Sequence, residues 1–66
     1  MHRETYRDWQ ITAQTDDRNR SRPWVAIARR SQGSKAATWY DARGATLIEA
    51  VQAVKRTCDE SELANA

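Results

Sequence analysis

From Trp9 to Gln14 apolar and polar side chains alternate. Trp9, Ile11 and Ala13 fall on one side and Gln10, Thr12 and Gln14 on the other, a period of two that predicts a half-buried β-strand starting near Tyr6. Residues 16–23, Asp-Asp-Arg-Asn-Arg-Ser-Arg-Pro, are wholly polar and end in proline. They are too many for a two-residue hairpin turn and too polar to bury, and so predict a mobile surface loop. Trp24-Val25-Ala26-Ile27-Ala28-Arg29 is apolar on both parities, as expected of a central strand. A turn over Ser31–Lys35 then leads to a third strand over 36–40, Ala-Ala-Thr-Trp-Tyr, with aromatic groups on both parities.

The period changes after Gly44. Leu47, Ala50, Val51, Val54 and Cys58 recur at helical spacing, while Glu49, Gln52, Lys55 and Arg56 face the other way. Thr46 and Glu49 have the spacing of a capping box, in which the Thr hydroxyl accepts the Glu49 N–H and the Glu carboxylate reaches back to the Thr46 N–H. Gly44 supplies free backbone ahead of the helix. Met1–Glu4 reads as frayed and residues 59–66 as a polar, disordered end. The expected fold is therefore α+β: a single domain over 1–66, a three-stranded antiparallel meander, and one C-terminal amphipathic helix across one face.

Two phases of the sheet are open. With Trp9, Ile11, Val25, Ile27 and Trp39 beneath the helix, the largest aliphatic groups meet Leu47, Val51 and Val54. That choice leaves Gln10, Thr12, Trp24, Ala26, Ala28, Thr38 and Tyr40 on the uncovered face, and it is the one adopted. In the alternative, Trp24, Ala26 and Ala28 of the middle strand point inward, and their small side chains let the helix approach closely.

At 66 residues with no Phe and three Trp, folding buries only roughly 60% of the surface the unfolded chain exposes, so stability is expected to be marginal. Cys58 is the only cysteine, which excludes an internal disulfide and a cysteine-rich metal site and fits a reducing cytoplasm. No run is apolar enough for a signal peptide or a membrane span, so a soluble, cytoplasmic protein is expected.

Net charge is +2 but uneven. Residues 16–35 carry an excess of four positive charges, whereas 36–66 carry an excess of two negative ones.

Catalysis finds few candidates. The one His, His2, and the one Cys lie in segments that do not suggest a nucleophile pair, and Asp16-Asp17 and Asp59-Glu60 are carboxylates in polar surroundings. No phosphate loop, dinucleotide fingerprint or zinc spacing is present. A non-enzymatic domain without cofactor or metal is expected. Two binding chemistries remain. Trp24 and Tyr40, on an uncovered sheet face rimmed by Gln, Thr and Arg, have the composition of a protein interface, for another protein or a second copy in a homodimer. Arg18, Arg20, Arg22, Arg29 and Arg30 could instead grip the phosphates of a nucleic acid beside those aromatics. The first is the leading expectation and the second its alternative.

The order β-β-β-α together with Gly44-x-Thr46-x-x-Glu49-Ala50 resembles HicB-type antitoxin domains over roughly residues 24–54, which implies a degraded ribonuclease-like fold and a toxin-antitoxin role. Arg22-Pro23-Trp24, Arg29, Trp39 and the Ala-rich helix also look like the plant ethylene-response-factor domain. That resemblance implies that the sheet, not the helix, meets the major groove of DNA.

Overall fold

A computed structural model describes residues 1–30 and 38–64. Its elements in chain order are β1 (His2–Tyr6), β2 (Trp9–Thr15), β3 (Trp24–Arg30), β4 (Thr38–Gly44) and α1 (Leu47–Ala64). The strands form one antiparallel sheet in the order β1-β2-β3-β4, and α1 packs mainly on β4 and β3. The architecture is thus the expected α+β meander with a C-terminal helix, built on four strands instead of three. The turn expected over 31–35 and the start of the third strand at 36–37 lie outside the described residues.

The additional strand is the segment expected to fray. Tyr6 pairs with Trp9, so only Arg7 and Asp8 connect β1 to β2, and Arg7 takes a left-handed φ of 54°. A type II′ hairpin turn places glycine at that position to avoid the steric cost of a side chain. Here an arginine occupies it, and of the usual turn residues only Asp8 is present. β4 likewise runs through Asp41–Gly44, where a link to the helix was expected.

The phase of β3 and β4 is the reverse of the one adopted from the sequence. Ala26 and Ala28 are fully buried under α1 together with Trp9, Ile11, Ala13, Ala50, Val51, Val54 and Cys58. Trp24, Tyr40 and Ala42 pack at the margin of this core, while Val25, Ile27 and Trp39 belong to the other face. Gly44 explains the choice. A Cβ there would lie 2.5 Å from the Ala50 amide nitrogen and 2.8 Å from Glu49 Cβ, so the first turn of α1 rests directly on the backbone of β4. With Gly44 facing the helix, the two-residue period turns Ala42 and Tyr40 inward. The pairs Ala26↔Ala42 and Ala28↔Tyr40 then bring the alanines with them. Close approach of helix to sheet, not the size of the aliphatic groups, sets the phase. Tyr40 and Trp9 fill the wider space beside the alanines, their ring centroids 5.5 Å apart.

The helix starts as expected in part. The Glu49 N–H donates to Thr46 Oγ1 at 3.2 Å, but the Glu49 carboxylate accepts the N–H of Ala45, at 2.9 Å, instead of that of Thr46. Its end departs further, because 59–64 are helical rather than disordered. Tyr6 donates its hydroxyl to Asp59 at 2.9 Å, Tyr40 and Ser61 share a hydrogen bond of 2.7 Å, and Glu62 accepts from Arg7 and Arg30 at 3.1 Å each. The polar residues of the last turns thus fasten the helix to β1, β3 and β4. Among the described residues no helix is long and apolar enough to cross a membrane.

Candidate functional site

The helix covers one face of the sheet and leaves the other bare. Strand register sorts the bare face into three cross-strand rows. Thr5, Gln10, Arg29 and Trp39 form the first, and Arg3, Thr12, Ile27 and Asp41 the second. Gln14, Val25 and Arg43 make a third. Trp39 is 61% exposed and stands directly across from Arg29, a neighbour position at which side chains on one face touch. Arg3, Thr5, Gln10, Thr12, Ile27 and Arg29, together with Glu4, line an open depression of about 660 Å³.

Candidate residues from the sequence divide between the two faces. Trp24 and Tyr40, expected as open-face anchors, lie on the covered side: both are only half exposed or less and pack against the core. The Arg29-Arg30 pair is split by the strand period. Arg29 reaches the bare face, but Arg30 turns under the helix end, where its guanidinium lies 4.4 Å from the Trp9 ring centroid and bridges to Glu62. Arg30 is therefore a structural cation, not part of a surface for phosphate.

Arg18, Arg20 and Arg22 remain exposed in the β2–β3 connection. That connection is cross-linked, contrary to the mobile loop expected. Asp16 N–H donates to the Pro23 carbonyl at 2.6 Å, and Asn19 Oδ1 accepts from the amides of Ser21 and Arg22 at 3.1 Å each. Arg43, from β4, donates to Asp16 at 2.7 Å and to the Arg22 carbonyl at 3.4 Å. The Arg43 guanidinium, helped by the Arg18 amide, holds the Asp16 carboxyl below the usual range. The three arginines are thus displayed from a fastened loop at the end of the sheet.

The two faces differ in charge. Three arginines and one aspartate, Asp41, belong to the bare face. On the covered side and helix, Glu4, Asp59 and Glu62 are each engaged by a cation or hydroxyl, and Glu49 and Glu60 are exposed on the outer surface of α1. Among the described residues Arg3, Arg29, Arg18, Arg20 and Arg22 make no ion pair, and neither do Arg56 on the outer side of α1 or Asp8, Asp17 and Asp41. The bare face therefore presents Arg3 and Arg29 without ion pairs against one acid, Asp41, beside an exposed indole, a modest positive excess.

Cys58 is fully buried, and burial together with nearby Asp59 and Glu62 raises its thiol pKa, the reverse of what a nucleophilic thiolate needs. His2 hydrogen-bonds Glu4 at 3.0 Å on β1, and no group of three or more metal-ligating side chains occurs among the described residues. Arg3 and Trp39 lie on the bare face and were not among the candidates from the sequence. The alternative phase of the middle strand bears on Trp39, which turns outward once Gly44 faces the helix; Arg3 lies on the strand that the sequence did not announce. Compared with protein-family models, with curated proteins and with solved structures, the chain matches none.

Proposed function

We propose that the protein binds single-stranded nucleic acid on its bare sheet face, with Trp39 as a stacking surface and Arg3, Arg29 and the Arg18–Arg22 loop as phosphate contacts. The observation that carries this reading is the cross-strand pair of an exposed Trp39 and an unpaired Arg29 on a face that also carries Arg3, Thr5, Gln10 and Thr12, with Ile27, Val25 and a single acid, Asp41. An indole lying open on a sheet stacks on any base, and guanidinium forks grip phosphate without regard to sequence. A duplex hides its base faces. Four strands also span about 14 Å between their outer backbones, wider than the roughly 12 Å major groove. The width favours a single strand over the duplex contact that the plant-domain resemblance implies. The leading expectation from the sequence, a protein interface anchored by Trp24 and Tyr40, loses support because both aromatics pack against the core.

Affinity for a labelled short single-stranded oligonucleotide of mixed sequence tests the reading. Trp39→Ala is expected to cost about 1–3 kcal/mol, the value of one base–aromatic stack. Engagement of two to five of the named arginines gives a slope of log affinity against log salt between about −1.4 and −3.5. Equal affinities for wild type and Trp39→Ala, or binding indifferent to salt, would overturn it.

A further inference from the structure

β4 is an edge strand of seven residues, Thr38–Gly44, and nothing among the described residues pairs with its outer side. It has no proline, its one glycine is at its end and its register with β3 runs without a bulge, so the charged pair Asp41 and Arg43 is what guards this edge, and guards it only against partners that do not match their signs. The other edge, β1, is shorter, with five residues, and carries Arg3 and Glu4, the latter paired with Lys55 of the helix. An open row of N–H and C=O groups on β4 is a template for another strand.

We infer that the partner of this edge is a second copy of the same chain, paired antiparallel through β4 about a two-fold axis at Ala42. The charge pattern selects the occupant and the register. Antiparallel pairing of two identical strands that keeps both helices on one side of the sheet must pair residues of the same parity. Centring the axis on Asp41 sets that carboxylate opposite itself, which is repulsive. Centring it on Ala42 sets Asp41 of each copy opposite Arg43 of the other, giving two cross-strand ion pairs from one symmetric contact. Tyr40 then faces Gly44 of the second copy and Ala42 faces Ala42, so only the overlap 40–44 is needed.

The rest of the fold accommodates this pairing. Arg43 directs Nη1 and Nη2 across β3 toward the β2–β3 loop, so pairing with Asp41 of a second copy engages its Nε or swings the guanidinium away from Asp16. α1 sits over β3 and β4, so the two helices would lie side by side, about 10 Å apart, the separation at which helices pack. Half-buried Ala53 and Thr57 flank the contact on each. The product is an eight-stranded sheet with both bare faces on one side. The inference does not depend on nucleic-acid binding.

The test is the mass in solution, measured by sedimentation from micromolar to millimolar protein without nucleic acid, for wild type, Asp41→Arg and Arg43→Asp, each shown to be folded by circular dichroism. Wild type should dimerise. Each single variant should be monomeric, because Asp41→Arg sets Arg opposite Arg and Arg43→Asp sets Asp opposite Asp. An equimolar mixture of the two variants should form a heterodimer, because both cross-strand pairs are then of opposite charge. The double variant Asp41→Arg/Arg43→Asp, with the charges exchanged within one chain, should dimerise alone. A wild type that stays monomeric throughout, single variants that dimerise like wild type, or a mixture that stays monomeric would overturn the inference.

Discussion

Replacing Gly44 by alanine separates two accounts of this glycine by sign. Its φ lies outside the left-handed region, so an alanine adopts the same backbone without strain. If the surrounding space were open, Gly44→Ala would stabilise the fold by about 0.4–1 kcal/mol, because it reduces the freedom of the unfolded chain. The structure requires the opposite. The new methyl would sit 2.5 Å from the Ala50 nitrogen and 2.9 Å from the Glu49 carbonyl carbon, and neither backbone atom can rotate away. Ordinary contact begins near 3.5 Å, so the first turn of α1 would have to lift by about 1 Å. That movement loosens Leu47, Ala50 and Val51 against Ala26 and Ala42. Overpacking of this kind costs about 1–3 kcal/mol. In a domain of this size each kcal/mol moves Tm by about 4–8 °C, so a fall of about 8–16 °C is expected for a mid-range cost. Thermal unfolding followed by far-ultraviolet circular dichroism measures it. A Tm for Gly44→Ala equal to or above wild type would refute both the close approach and the strand phase argued from it.

Other outcomes follow from the same contacts. Glu62→Ala should destabilise the fold by about 1.5–3 kcal/mol in chemical denaturation, the range of charge-assisted hydrogen bonds, because it strips the acceptor from the mostly buried Arg30; a change within error would show that the last turns of α1 do not fasten the sheet. Glu4 is held below the ordinary carboxyl range by hydrogen bonds from His2 and then Lys55, and Asp16 by Arg43. Their contribution is complete above the unfolded values near about 4 and is lost as pH falls through the lowered folded values. Denaturation midpoints should therefore drop below pH ~4, and Glu4→Gln should flatten part of that drop. The buried Cys58, with its raised pKa, should resist thiol reagents until the protein opens. Because the unfolded thiol loses its proton first, stability should decline as pH rises past about 8.5; rapid labelling of the native protein would contradict this placement.

How much of this was legible in the sequence follows the range of the interactions involved. The helix was readable because its signals are local: Thr46, Glu49 and the spacing of Leu47, Ala50, Val51, Val54 and Cys58. β2 was readable from its alternation. β1 was not, because the turn that makes it uses Arg7 where glycine or asparagine would have announced a hairpin. The tail was misread for a related reason, since Asp59, Ser61 and Glu62 look like solvated polar residues until partners more than twenty positions away are known. The strand phase failed on a different principle. Ranking positions by hydrophobicity put Val25 and Ile27 inside, but the gap between helix and sheet admits only alanine and glycine there. The proposed binding face changed with it, replacing Trp24 and Tyr40 by Trp39 and Arg3 beside the retained Arg29.

The most direct measurement of the central claim is an amide and indole NMR map of the isotope-labelled protein titrated with the single-stranded oligonucleotide at low and at moderate salt. Binding on the bare face predicts shifts at Arg3, Thr5, Gln10, Thr12, Ile27, Arg29 and the Trp39 indole, fading as salt rises, while the outer side of α1 from Ile48 to Arg56 stays still. Shifts centred on α1, or none at either salt, would contradict it.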